Sequence, residues 1–366
     1  MRVMDRMRLS LVGPVPPPVG GMATQAMQLL TNLREEGYSV ELIETNAPYQ
    51  PSWMRRVRGL RAVARLIPFT VRLWRAVGRS TIIHVFANSG WAWWLFAVPT
   101  ISISRLRRVP IVVNYHGGAA KDFFASKKTL ALLPLKMADA IVVPSKYLEN
   151  VFANLGLRTE IIPNVVDTTR FHPRPEMRDP EKFHIVMTRN LEPVYDIATA
   201  LAAFSLVLKE LPQAYISIAG VGPEHKRLIN ICENLGIRER VVFVGRIENS
   251  KIHEFYQSAN MMLNSSLVDN QPVSILEAYA AGVPVVSTDV GGVSQIATHD
   301  RTALLVPSGD PVRMSEAILR IARDPDLVKR LTTSGLVEIR NYTWKHIRVK
   351  WQACYENLTQ GAKKRG

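Results

Sequence analysis

Short β-branched apolar runs alternate with helical stretches along almost the whole chain, and this alternation constrains the fold more than any other feature. Leu9–Val12, Ser39–Ile43, Ile82–Phe86, Ile111–Tyr115 and Ala140–Val143 read as buried strands of one parallel sheet. A second series follows at His184–Met187, Tyr215–Ala219, Val241–Val244, Met261–Asn264, Val285–Ser287 and Ala303–Val306. Strands that alternate with helices imply an α/β fold with right-handed crossovers. The series breaks at Phe171–Lys182, a stretch rich in proline and charge without periodicity, which suits a linker. The 366 residues are enough for two domains. The expected organisation is a Rossmann-like domain over 1–172, a second over 173–342, and a C-terminal helix over 343–366. Doubly wound sheets bind ligands at the carboxyl ends of their strands, so a cleft between two facing domains is the expected site.

The two cysteines, Cys232 and Cys354, lie far apart in sequence. They imply neither a disulfide framework nor a cysteine metal site, and a reducing, cytoplasmic compartment suits them. The basic N-terminus is followed by an apolar run too short for a signal-peptide core. Val85–Ser104 is apolar enough to suggest a membrane span. It carries Asn88, Ser89, Gly90 and Pro99 between two expected strands, and reads better as a buried crossover helix.

The net charge of +15 is unevenly placed: residues 1–172 hold 22 Lys and Arg against 10 Asp and Glu, and the remainder 24 against 21. A basic N-terminal half attracts anionic surfaces. Much of that charge lies in Pro51–Ser80, which has eight arginines and no acid. Trp53, Val57, Leu60, Ala64, Ile67, Val71 and Trp74 repeat there at spacings of four and three, with Arg58, Arg65, Arg72 and Arg79 alongside. Such a helix suits the interface of an anionic membrane; the plainer alternative is packing on the sheet with solvated arginines, and Pro68 interrupts either version. No recognised nucleic-acid motif accompanies the charge, and no nucleic-acid partner is expected.

Three loops have the composition of phosphate cradles. Gly20-Gly21 stand between the first strand and a helix, where glycine admits close approach and a helix N-terminus offers N–H groups. Gly220-Val221-Gly222-Pro223 follows another strand. Both also read as plain tight turns. The third stretch is Asn264–Val286. Its strand ends near Asn264, a helix runs from about Val273 to Ala281, and Gly282-Val283-Pro284 stops it. Asp269 then lies in the loop entering the helix with Asn270, and Glu277 sits one turn inside. Both carboxylates can face one ligand, with the amides of Val273 and Ser274 towards a phosphate.

Here the chain resembles the family 4 glycosyltransferases of GT-B fold. Their hallmark is a glutamate, seven residues, a second glutamate, then a small-residue helix and G-x-P-V-V. The chain has Asp269, seven residues, Glu277, and Ala280-Ala281-Gly282-Val283-Pro284-Val285-Val286. ADAIVVPS at 138–145, IIPNVVDTTRF at 161–171, IAGVGP at 218–223, VFVG at 242–245, and Gly291-Gly292 followed by LLVP at 304–307 fall in the family's order.

The resemblance implies a retaining transferase that uses a nucleotide sugar, a UDP- or GDP-sugar, as substrate, without metal or cofactor. It assigns Glu277 to the ribose, Asp269 to the transferred sugar in place of the longer glutamate, and Arg189 to the diphosphate, a pairing that guanidinium chemistry favours. His116, beside Gly117-Gly118, matches the active-site histidine. The lysine usual six residues after the arginine is here Tyr195, and Pro272 stands where glycine is common. The acceptor, a glycan or a polyprenyl-linked one, is expected on the N-terminal domain, with the helix from Thr343 crossing back to that domain. Surface polysaccharide or glycolipid synthesis at the inner face of the cytoplasmic membrane follows.

A nicotinamide-dependent oxidoreductase would require GxGxxG and an acid at the next strand's end, and neither domain shows both. The other alternative is a non-catalytic transferase-like subunit, which Tyr195 and Asp269 would suit.

Overall fold

A computed structural model describes residues 7–16, 20–48, 60–126 and 128–363. Its strands are β1 (Arg8–Gly13), β2 (Ser39–Glu44), β3 (Ile82–Ala87), β4 (Ile111–Tyr115), β5 (Ala140–Val143), β6 (Glu160–Ile161), β7 (Phe183–Thr188), β8 (Ala214–Ala219), β9 (Val241–Gly245), β10 (Met261–Asn264), β11 (Val285–Thr288) and β12 (Leu304–Val306). They form two six-stranded sheets, ordered β2-β1-β3-β4-β5-β6 and β12-β11-β10-β7-β8-β9, and every pairing is parallel. Each expected strand is present. The unexpected β6 has two residues, too few to leave an apolar period in the sequence.

The chain divides into a first compact unit of 1–165 with 347–366 and a second of 166–346. The first boundary therefore lies upstream of the expected 172/173. Val166 and Phe171 are buried among Val186, Tyr256 and Met262, and the Val166 amide donates to the Tyr342 carbonyl at 2.9 Å. The proline-rich stretch follows that anchored segment, so its composition marked the wrong side of the junction. The C-terminal helix runs from Trp344 to Lys363, and from Ile347 onward it belongs to the first unit. Within that unit it buries Ile347, Trp351, Cys354 and Tyr355.

In the first unit one sheet face packs Ile83, Val85, Ala87, Val113 and Tyr115 against Leu73, Ala76, Trp93 and Ile101. Trp93 and Ile101 come from the stretch read as a crossover helix. It is a π-helical turn, Trp93–Ala97, continued by Val98–Leu106. No helix among the described residues is long and apolar enough to cross a membrane.

The helix Leu60–Val77 runs on through Pro68, which therefore does not interrupt it. Its sheet-facing residues are Phe69, Leu73, Ala76 and Val77. The expected stripe turns to solvent instead: Ile67 is 60% exposed, Val71 44% and Trp74 43%. Two apolar faces coexist on this helix, and periodicity alone cannot say which one the sheet selects. Trp53, Val57 and Arg58 lie outside the described residues.

In the second unit β7, β8 and β10 supply Ile185, Met187, Ile216, Ile218 and Leu263 to one core. The opposite face buries Ile275, Leu276 and Tyr279 of the helix Val273–Ala280. Glu277 on the same helix meets Tyr256, which in turn bonds Thr188 at the carboxyl end of β7.

Candidate active site

Arg189 follows the last residue of β7, and in the second unit it is the hub of a polar group. Its Nε donates to Asn264 Oδ1 at 3.1 Å and its Nη2 to Asp269 Oδ2 at 2.5 Å. Both members of this ion pair are largely buried, with 12% and 13% of their side chains exposed. Burial raises the Asp269 pKa, against the opposing pull of Arg189 and of the Asn270 amide and Ser266 hydroxyl that donate to it. Tyr195 lies against the guanidinium, 5.2 Å from ring centroid to Cζ. The residue in the expected lysine position thus contacts the remaining arginine as a cation–π partner and adds no charge of its own.

The loop carrying Asp269 is held from several sides. Asn264 closes β10 and donates to Ser287 Oγ at 3.0 Å, while Ser266 Oγ donates to Asn264 Oδ1 at 2.8 Å. The Gly292 amide donates to the Asp269 carbonyl at 2.9 Å. Gly291 has φ +56°, and a Cβ there would lie 2.0 Å from that same carbonyl oxygen, so only glycine lets the two loops meet.

Glu277 forms a second branch. Its Oε2 accepts from the Tyr256 hydroxyl at 2.8 Å, and Tyr256 also pairs with the Thr188 hydroxyl at 2.6 Å. Burial pushes the Glu277 pKa from 4.5 up to about 7, moderated by Tyr256, Arg189 and Arg170. The helix bearing Glu277 begins after Pro272 without a side-chain cap. Ser274 is buried, and its Oγ has no hydrogen-bond partner among the described residues. Asn270 is buried beside it, its amide donating to Asp269 Oδ1 at 3.0 Å. A charge-bearing ligand at these strand ends would meet one arginine, two carboxylates and the uncapped start of a helix.

Arg189, Asp269 and Asn270 are thus joined by hydrogen bonds, the charge of Arg189 acts on Glu277, and Val273 and Ser274 open the helix that carries Glu277. Gly222 has a backbone reason to be glycine, since a Cβ there would lie 2.2 Å from the Leu191 carbonyl oxygen and block the loop that follows Arg189. In the first unit Gly20 caps the helix Gly21–Glu35, with open space where side chains of Gly20 and Gly21 would stand. His116 follows β4, its amide donating to the Ala87 carbonyl at 2.9 Å and its ring stacked on Phe86 at 5.3 Å. Burial lowers its pKa from 6.5 to about 4, so the imidazole is neutral at pH 7.

Asn264, Tyr256 and Thr188 escaped the sequence reading. Asn264 ends a recognised strand, and that position was the available signal. Tyr256 lies in the helix Ile252–Gln257, where nothing in the sequence ties it to Glu277. Among the described residues no group of three or more His, Cys, Asp or Glu could hold a metal ion.

Two family models match, Glycosyltransferase Family 4 over residues 19–170 and Glycosyl transferases group 1 over 169–336. A phosphatidyl-myo-inositol mannosyltransferase of Mycobacterium leprae is 24% identical over 382 residues, covering 98% of this chain and 99% of that protein. The exopolysaccharide phosphotransferase SCO2592 of Streptomyces coelicolor is 32% identical over 203 residues, 54% of this chain, and the match spans only 21% of that protein's length. A sucrose-phosphate synthase from Thermosynechococcus elongatus superposes with a TM-score of 0.77 at 22% identity, covering 97% of this chain and 100% of that one.

Proposed function

The chain belongs to the family 4 glycosyltransferases of GT-B fold, and from that premise we propose that it moves a sugar from a UDP- or GDP-sugar to a glycan or polyprenyl-linked acceptor, with retention of configuration. The observation that carries this reading is the Arg189–Asp269 pair with Glu277 at the carboxyl ends of β7 and β10. On donor binding Arg189 exchanges part of its bonding from Asp269 to the diphosphate. Asp269 is then released to accept from hydroxyls of the transferred sugar, and Glu277 accepts from the ribose diol. The bond between the anomeric carbon and the diphosphate oxygen breaks, and the acceptor oxygen bonds to that carbon from the same face. The acceptor proton passes to the departing phosphate. The protein supplies positive potential where negative charge grows, and Arg189 is its centre. His116, neutral, can meet a sugar hydroxyl through one ring nitrogen, as donor or acceptor according to its tautomer. The nucleotide sugar is a substrate, and the scheme calls for no further cofactor.

A thermal-shift panel of UDP-, GDP- and ADP-sugars tests donor binding. A rise in melting temperature with one nucleotide family, lost in Glu277→Ala, is the expected result. A folded protein that responds to none of them would instead be the non-catalytic subunit.

The same proposal sets the reaction at the cytoplasmic face of an anionic membrane. Its support is the solvent-facing Ile67, Val71 and Trp74, beside exposed Arg72 and Arg75, and a full-length relative named for a phosphatidyl-myo-inositol substrate. Apolar side chains framed by arginine suit the boundary between headgroups and acyl chains. Ile67→Asp/Trp74→Asp is expected to weaken sedimentation with phosphatidylglycerol vesicles at least tenfold, with only a small drop in melting temperature, since Ile67 is 60% and Trp74 43% exposed and Trp74 gives up its contact with the Arg107 guanidinium. Equal binding by this variant would refute the assignment.

A further inference from the structure

His84 is the odd residue of β3. Its neighbours in IIHVFA are apolar, and the strand is buried along its whole length. An imidazole there has to be desolvated. Among the described residues its one hydrogen-bond partner is the Tyr355 hydroxyl, 2.8 Å from Nδ1, while Nε2 has none. An aliphatic side chain would fill the same place without an orphaned nitrogen. The ring is nevertheless part of a continuous run of aromatic contacts within the first unit. Trp351 lies 4.7 Å from His84, His84 is stacked on Phe86 at 5.0 Å, and Phe86 is stacked on His116 at 5.3 Å. Tyr355 adds a stacked contact to Trp351 at 5.7 Å.

Alternation along β3 explains the geometry. His84 and Phe86 share a face, two residues apart, and β4 runs alongside with Phe86 opposite Asn114, so the backbone of His116 emerges just beyond. The C-terminal helix closes the other end of the stack with Trp351 and Tyr355, both almost fully buried.

We propose that Trp351, His84 and Phe86 are positioning residues that set the ring plane of His116, so that the C-terminal helix helps to orient the imidazole at the carboxyl edge of the sheet. The catalytic consequence rests on the reading of His116 as an active-site group, whereas the orientation of the ring does not. A ring wedged in a stack loses its freedom about the Cα–Cβ and Cβ–Cγ bonds before any ligand arrives, which is the requirement for preorganised contact with a reacting sugar. Burial also holds His84 neutral, its pKa lowered from 6.5 to about 3, with the nearness of His116 contributing in the same direction. The stack therefore presents no positive charge behind His116.

The test uses the full-length protein with histidine-selective isotope labelling, the His116 imidazole signal being assigned by its loss in His116→Ala. Trp351→Leu is expected to shift or broaden that signal and to lower kcat at least tenfold, with the donor KM changed less than twofold. The double variant His84→Phe/Tyr355→Phe keeps an aromatic ring at every position of the stack and removes the polar pair without orphaning either partner. It should leave the His116 environment and kcat within threefold of the parent. Trp351→Phe, which conserves an aromatic ring, should restore what Trp351→Leu loses, and it answers the question if the leucine variant does not fold. A His116 signal unmoved in folded Trp351→Leu, or a kcat loss in the double variant as large as that of Trp351→Leu, would overturn the proposal. Because the imidazole signal is read without turnover, a protein inactive with every donor would still reveal whether the stack holds the ring.

Discussion

Replacing Arg189 by alanine should reduce kcat/KM for sugar transfer by roughly two to three orders of magnitude, the range for losing one preorganised charge-stabilising group. The effect is large because the second cation usual in such sites is absent: Tyr195 occupies its place and contributes only its ring face to the arginine. A stability cost of about 3 kcal/mol should accompany it, since breaking a buried ion pair leaves one charge uncompensated. That charge is Asp269, whose pKa burial already raises. Arg189→Lys should recover little, because the guanidinium spans Asn264 through Nε and Asp269 through Nη2, and an ammonium cannot reach both. The two contributions can be separated. Arg189→Ala/Asp269→Asn removes both charges and should regain most of the melting temperature while remaining inactive. Initial rates and thermal unfolding of the set provide the check; wild-type rates in folded Arg189→Ala would refute the assigned role.

Glu277→Gln should stabilise the protein at alkaline pH while it weakens nucleotide binding. Burial favours the protonated carboxyl in the folded state, with a pKa of about 7 against 4.5 ordinarily. Its contribution is therefore fully present below about pH 4.5. It is lost progressively as pH rises through about 7, because the folded state must then hold a carboxylate it disfavours. Glutamine is neutral throughout and still accepts from Tyr256. The variant should match the parent near pH 4 and exceed it above pH 7, by at most about 3 kcal/mol from the size of the shift. Nucleotide affinity should move the other way, falling about tenfold or more with the loss of charge-assisted bonds to a ribose diol. In the parent, donor binding should strengthen as pH rises through about 7. Melting curves from pH 4 to 9 decide the matter: a stability difference constant across that range would mean that folding leaves the Glu277 pKa unshifted.

Much of this organisation was legible beforehand. The strands announced themselves because a parallel strand covered on both faces is apolar at successive positions, a pattern independent of its neighbours. Asp269 and Glu277 drew attention through chain-local information, a loop entering a helix and that helix's first turns, whereas Arg189 was named through the family resemblance. Gly222 drew attention as a turn glycine after a strand, and its missing side chain makes room for the Leu191 carbonyl, a partner that no local pattern names.

What the sequence determined by itself was therefore the α/β class, the two strand series and the polar residues at their ends, since period and turn chemistry are properties of consecutive residues. The tertiary structure decided the rest. It chose which apolar face of Leu60–Val77 meets the sheet, set the unit boundary before Val166, brought Tyr256 to Glu277, and aligned Trp351 and His84 behind His116. Each of these is a contact between segments remote along the chain, and its energy depends on shape and desolvation at both partners at once. One-dimensional pattern holds only half of such an interaction.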